Sequence, residues 1–237
     1  MTNGNSLSRP NRRQIILSTV AVGAATAVGA GAVMQARQTP IPVAFLLDDG
    51  ATMIDFAGPW EVFQDAEGRF DLFTVAPSTD PITSSGGMRI IPRYSLADAP
   101  QPKVIVIPAM GGGRTPGSTT AAKVDWLRAQ HATADVVLSV CTGAFLLART
   151  GLLDGLRATT HHDFIADFER NFPRVRVERH RRYVDNGKIV TAGGLTSGVD
   201  AALHIVARYH GPDFAREVAD YMEYESRGWI EGAAASG

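Results

Sequence analysis

Val136-Val137-Leu138-Ser139-Val140-Cys141-Thr142-Gly143-Ala144-Phe145-Leu146-Leu147-Ala148 changes character at its centre. The first five residues are short, apolar and mostly β-branched, which reads as a buried strand. From Thr142 the residues are good helix formers with an apolar face, which reads as a helix. Cys141, the single cysteine of the chain, stands on the sharp turn between them. A thiol there lies close to the free N–H groups of a helix N-terminus, whose dipoles favour a thiolate and offer donors to a developing negative charge. This is the geometry of a nucleophile elbow. The competing reading is a buried cysteine packing as a small hydrophobe.

Working outward, the same alternation recurs. Val43 to Leu47, Phe70 to Ala76, Met88 to Ile91 and Val104 to Ile107 read as strands. Helices are expected beginning near Pro59, from Lys123 to Gln130, from Asp163 to Asn171, from about Ser197 to Tyr209, and from Pro212 to Met222. Val175 to Val177, Tyr183 to Asp185 and Ile189 to Ala192 read as extended, with Asn186-Gly187 as a turn. Strands alternating with helices imply an α/β domain with a mostly parallel sheet covered on both faces. The chain has 237 residues, 45% hydrophobic and 20% charged, with a net charge of -1. That allows one large domain and gives no sign of a nucleic-acid partner.

The first 40 residues read as an export signal and linker. Arg12-Arg13 precedes an uncharged Ala- and Gly-rich stretch from Ile15 to Met34. The arginine pair suggests a twin-arginine route, with cleavage near Ala30-Gly31-Ala32 or Ala36. The alternative is an uncleaved membrane tether, because about 20 apolar residues just span a bilayer. Either way the domain from residue 41 to 237 is expected outside the cytoplasm, in the periplasm or beyond. Gly232 to Gly237 reads as a frayed tail.

In an open α/β sheet, ligands sit at the carboxyl ends of the strands. Three loops are expected to meet there: Asp48 to Gly58, Pro108 to Gly117, and the turn at Cys141. Asp55 lies among apolar neighbours, where desolvation disfavours its charged form and suits it to proton transfer near neutral pH. Its bland alternative is a helix cap. Gly111-Gly112-Gly113 lacks the Lys and Ser/Thr of a P-loop, but its backbone N–H groups suit an oxyanion. Thr142 offers a hydroxyl and an N–H beside the thiol, or is an ordinary helix-start residue. His161 or His162 reaches the pocket as a base or a polar wall, although a lone histidine is more often structural. His131, His180, His204 and His210 show no metal-ligand spacing with one another, and no metal site is expected. Arg174 to Arg182 reads as a solvated face.

Together these residues resemble the DJ-1/PfpI superfamily over about Val43 to Met222. The motifs are Ile54-Asp55-Phe56-Ala57-Gly58-Pro59-Trp60-Glu61-Val62-Phe63, Val140 to Ala148, Gly151-Leu152-Leu153-Asp154-Gly155-Leu156-Arg157-Ala158-Thr159-Thr160-His161, and Val190-Thr191-Ala192-Gly193-Gly194. They are nearest to isonitrile hydratases and to the amidase-like domains of AraC-type regulators. The chain ends soon after Met222, so the regulators' DNA-binding helices are not expected. The resemblance implies a flavodoxin-like three-layer sandwich, a homodimer, a small-molecule substrate and no cofactor. It places the nucleophile on Cys141, the acid beside it on Asp55, and a threonine with a catalytic part on Thr142. Gly143 and His161 fall in the substrate pocket. Relatives carry Pro-Gly-Gly where this chain has Pro108-Ala109-Met110-Gly111. The oxyanion donor therefore stays open between the Ala109 N–H, the Met110 N–H and a shifted loop.

Overall fold

The computed structural model describes residues 39–111, 117 and 120–231. The segment expected to be an export signal, Gly112, Gly113 and the tail from Gly232 lie outside the described residues.

The elements in chain order are β1 (Ile41–Leu46), α1 (Met53–Gln64), β2 (Phe70–Ala76), β3 (Ile82–Thr83), β4 (Arg89–Ile90), β5 (Tyr94–Ser95) and β6 (Val104–Ile107). There follow α2 (Thr120–His131), β7 (Val136–Val140), α3 (Gly143–Arg149), β8 (Arg157–Ala158) and a 3-10 turn over His162–Phe164. The chain continues through α4 (Ile165–Asn171), β9 (Arg176–Val177), β10 (Tyr183–Asp185), β11 (Ile189–Ala192), α5 (Ser197–His210), α6 (Pro212–Tyr221) and α7 (Gly228–Glu231).

Seven strands form the main sheet in the order β10-β11-β7-β6-β1-β2-β5. Only β10 runs antiparallel to its neighbour. Every residue of β6, β7 and β11 is buried. Consecutive burial along a strand means that both faces are covered, as the unbroken apolar runs of these strands require. The short pairs β3–β4 and β8–β9 lie apart from this sheet. Among the described residues no helix is long and apolar enough to cross a membrane.

One element departs from the sequence reading in a way that matters. The first helix begins at Met53, so Pro59 lies inside it and Asp55 sits in its first turn. Asp55 is therefore not the cap. Thr52 holds that position, without a side-chain capping bond. Pro59 costs the helix one N–H, yet it is buried together with Gly58, whose missing side chain lets α1 approach Val199 of α5. Packing against α5 outweighs the local cost of the proline.

Candidate active site

Cys141 follows the last residue of β7, at the centre of the sheet, with φ at 57°. A side chain is strained in this left-handed region, and such strain persists only where the surroundings enforce it. Here they do. The Cys141 N–H donates to the carbonyls of Ala192 at 3.2 Å and Gly193 at 2.8 Å, and its own carbonyl accepts from Thr160 Oγ1 at 2.8 Å. The helix α3 then starts immediately. Gly143 is obligatory for that start, because a Cβ there would lie 2.2 Å from the Ile107 carbonyl oxygen. Its role is this close approach of α3 to the end of β6.

Asp55 reaches the same place from α1. It is fully buried, and its Oδ2 accepts the Ala109 N–H at 3.0 Å. The loops after β1 and β6 are stitched together around it: Thr52 N–H donates to the Ala109 carbonyl at 2.8 Å, and Gly111 N–H to the Asp49 carbonyl at 2.8 Å. Among the described residues, Asp55 Oδ1 is buried with no completed hydrogen bond. The Cys141 thiol and the Leu195 N–H lie against the carboxyl and draw its pKa down, as the Ala109 N–H does. Burial outweighs all three and raises the pKa to about 6.

The thiol departs from expectation. Burial is the larger cause and the negative charge of Asp55 the second, and together they push Cys141 up to about 12. The N–H groups of Thr142 and Leu195 pull the other way and lose. The helix N-terminus therefore does not make a resting thiolate here. At neutral pH the pair rests as an ionised Asp55 beside a protonated Cys141.

The oxyanion loop has two of its backbone donors already committed. The Ala109 N–H is taken by Asp55 and the Gly111 N–H by Asp49, so neither is a free donor. Among the described residues the Met110 N–H has no such acceptor, and Met110 is buried. Thr142 is buried and makes no side-chain capping bond. Leu195 is the residue that the sequence did not single out. It holds φ at 53°, and its N–H serves both the thiol and the carboxyl. Gly193-Gly194 was the only sequence signal of an unusual loop there.

His161 is half-buried and its ring packs against Gly194, where a Cβ would come within 2.2 Å of Cδ2. It lines a cavity of about 530 Å³ with Thr160, His180, Arg182, Gly194 and Leu195. Two residues of its lining also contact Cys141: Thr160 through the Cys141 carbonyl and Leu195 through its N–H to the thiol. His161 makes its bond to Asp163 instead of to Cys141 or Asp55.

A mostly parallel sheet with a strained cysteine on the elbow after an interior strand, and a buried carboxyl against the sulfur, defines a cysteine-centred α/β domain. The chain belongs to the DJ-1/PfpI family, whose model matches residues 42–208. The chain is 34% identical over 187 residues to the isonitrile hydratase of Pseudomonas putida, covering 78% of each. It is 29% identical over 194 residues to the HTH-type transcriptional regulator GbdR of Pseudomonas aeruginosa, covering 80% of this chain but 52% of the regulator. The crystal structure of a ThiJ/PfpI family protein from Pseudomonas syringae superposes with a TM-score of 0.69 at 28% identity, covering 79% of this chain and 76% of that one. The flavodoxin-like α/β arrangement is that of the family.

Proposed function

We propose that this protein is a cysteine-dependent hydratase that adds water to an isonitrile, giving an N-substituted formamide. The observation that carries this reading is the Asp55–Cys141 pair: a carboxylate with a pKa of about 6 against a thiol that needs help to lose its proton. The similarity to an isonitrile hydratase over 78% of the chain supports the choice of substrate.

An isonitrile takes both a nucleophile and a proton on its terminal carbon. The Cys141 thiol proton passes to Asp55 as sulfur bonds to that carbon, and Asp55 delivers the proton to the same carbon, leaving a thioimidate. Asp55, ionised again, takes a proton from water as the oxygen adds to the carbon and passes it to the substrate nitrogen. The C–S bond then breaks, the proton of the new hydroxyl returns through Asp55 to sulfur, and the formamide leaves. One isonitrile and one water are consumed, and no cofactor enters. The Thr142 hydroxyl and the Met110 N–H hold the substrate and its developing charge.

The test is turnover of cyclohexyl isocyanide to N-cyclohexylformamide, followed by chromatography. Cys141→Ala is expected to lower kcat by about a thousandfold or more, as loss of a covalent nucleophile does. Turnover that survives this substitution overturns the mechanism.

A second reading is a ligand- or redox-sensing domain. The observation behind it is that Cys141 is only 6% exposed and held as a thiol, together with similarity to a transcriptional regulator. Absence of turnover on a panel of isonitriles and glyoxals, with selective sulfinate formation at Cys141 under mild peroxide, would favour it. We further propose that the domain is exported through the Arg12-Arg13 signal and works as a homodimer.

A further inference from the structure

Lys123 is only 1% exposed, although it is a lysine in the first turn of α2. The position is unfavourable twice over. An ammonium taken out of water loses its hydration, and a single ion pair rarely repays that loss. A cation at a helix N-terminus also opposes the helix dipole. The sequence reading opened this helix at Lys123, as the first residue of an amphipathic segment. The structure opens it at Thr120 and turns Lys123 inward. The chemistry proposed for Asp55 and Cys141 makes no use of this buried charge.

Among the described residues, the Lys123 ammonium meets one side chain from each of two loops. It donates to Asp48 Oδ2 at 2.5 Å, and Met110 Sγ lies 3.7 Å away. Asp48 belongs to the loop that follows β1 and leads into α1, whose first turn carries Asp55. Met110 belongs to the loop that follows β6. The backbone bonds from Thr52 to Ala109 and from Gly111 to Asp49 join the same two loops. They approach too closely for a side chain at Gly111, whose Cβ would lie 2.6 Å from the Asp49 carbonyl oxygen. The ammonium closes this unit from the α2 side. The unit ends at the site, because the Ala109 N–H, next to Met110, donates to Asp55 Oδ2 at 3.0 Å.

We propose that Lys123 is a positioning residue: by clamping Asp48 and Met110 it fixes where the Ala109 and Met110 N–H groups stand relative to Asp55 and Cys141. The groups that face the Asp55 carboxyl are the Cys141 thiol and the N–H groups of Ala109 and Leu195. Lys123 is not among them, so its influence on Asp55 runs through the Ala109 N–H and not through its charge. That N–H draws the carboxyl pKa down against the effect of burial. A looser loop weakens the bond and lets the pKa climb above about 6.

The experiment compares the wild type with Lys123→Met and with Lys123→Met/Asp48→Asn. The single variant takes the cation from Asp48 and leaves the carboxylate charge in place. The double variant removes both charges together. Asp55 is titrated by 13C NMR of the aspartate carboxyl carbons, with Asp55→Asn to assign its signal. In both variants its midpoint is expected to rise by about half a pH unit or more. Urea stability is expected to fall in the single variant and to return towards wild type in the double variant, while the Asp55 shift persists. The accompanying turnover measurement rests on the hydratase reading. There kcat for cyclohexyl isocyanide should fall about tenfold or more in both variants with little change in KM, because the Met110 N–H acts on developing charge. An Asp55 midpoint at the wild-type value in the double variant overturns the proposal, and so does recovery of kcat along with stability. A wild type that turns over no isonitrile removes the hydratase reading and leaves the Asp55 titration to decide on Lys123.

Discussion

Asp55 is an acid kept in a place that resists its charge, and that has a measurable consequence in both directions. Its pKa is raised from 3.8 to about 6 in the folded protein. The folded state therefore binds more protons than the unfolded chain between those values, and stability falls as pH rises through the window. Its contribution is fully present below about pH 4 and lost above about pH 6. The size is about 3 kcal/mol, from 1.36 kcal/mol per unit. In Asp55→Asn this dependence disappears, so the stability of the variant relative to the wild type should climb by about that amount between pH 4 and pH 7 in urea titrations. A difference that stays flat across the window would show that the carboxyl is not desolvated. The same substitution removes the negative charge beside Cys141. Iodoacetamide labelling at pH 8 should then quicken by about tenfold, because the charge of Asp55, second to burial among the causes raising the thiol pKa, is gone. Hydratase turnover should fall despite the more acidic thiol, since the proton carrier is lost. The desolvation of Asp55 was legible in its apolar neighbours. The loss of the thiolate was not, because the helix dipole shows in the sequence and the depth of burial does not.

At the scale of elements, the join of β7 to α3 rests on Gly143. Its absent side chain lets the first turn of the helix sit on the carbonyls of Ile107 and Pro108. Gly143→Ala would place a Cβ 2.2 Å from one backbone oxygen and 2.9 Å from the other, with no flexible side chain to yield. The expected cost is about 2–4 kcal/mol, read from the urea midpoint. A shift below about 0.5 kcal/mol would mean that α3 moves freely against β6. Long apolar strands such as β6, β7 and β11 could be read directly, because continuous burial leaves a continuous apolar run. The start of α1 could not. Pro59 looked like a first-turn residue, and only the fit of Gly58 against Val199 explains why the helix accepts it seven residues in. The two-residue strands β5 and β8 carry too few side chains for any period to show. Leu195 was missed for a related reason: a backbone N–H presented by a left-handed non-glycine residue leaves no side-chain signature.

At the scale of the whole molecule, the antiparallel edge of the sheet, α5, the C-terminal segment and the Leu195 loop are tied by one ion pair. Asp200 of α5 is fully buried. It accepts from Arg182 Nε at 2.6 Å and from Ser226 Oγ at 3.2 Å, and Gly228 packs directly on it. Arg182 also reaches Thr196 Oγ1 at 3.3 Å, while its carbonyl accepts the Gly193 N–H at 2.9 Å. Arg182→Met strands a buried carboxylate. Removing one partner of a buried pair costs 3–5 kcal/mol, and the half-exposed arginine reduces that to about 2–3 kcal/mol. Adding Asp200→Asn removes the stranded charge and should recover about half of the loss, which a packing defect alone would not allow. The distant consequence belongs to the site. Arg182 braces the loop that holds the Leu195 N–H against Cys141, and that N–H lowers the thiol pKa. Once the loop loosens, alkylation of Cys141 should slow in Arg182→Met even under conditions where the variant is fully folded. Alkylation at the wild-type rate in the folded variant would mean that the Leu195 loop is held by its own turn bonds, Ser197 N–H to the Gly194 carbonyl and Gly198 N–H to the Leu195 carbonyl, without help from the ion pair.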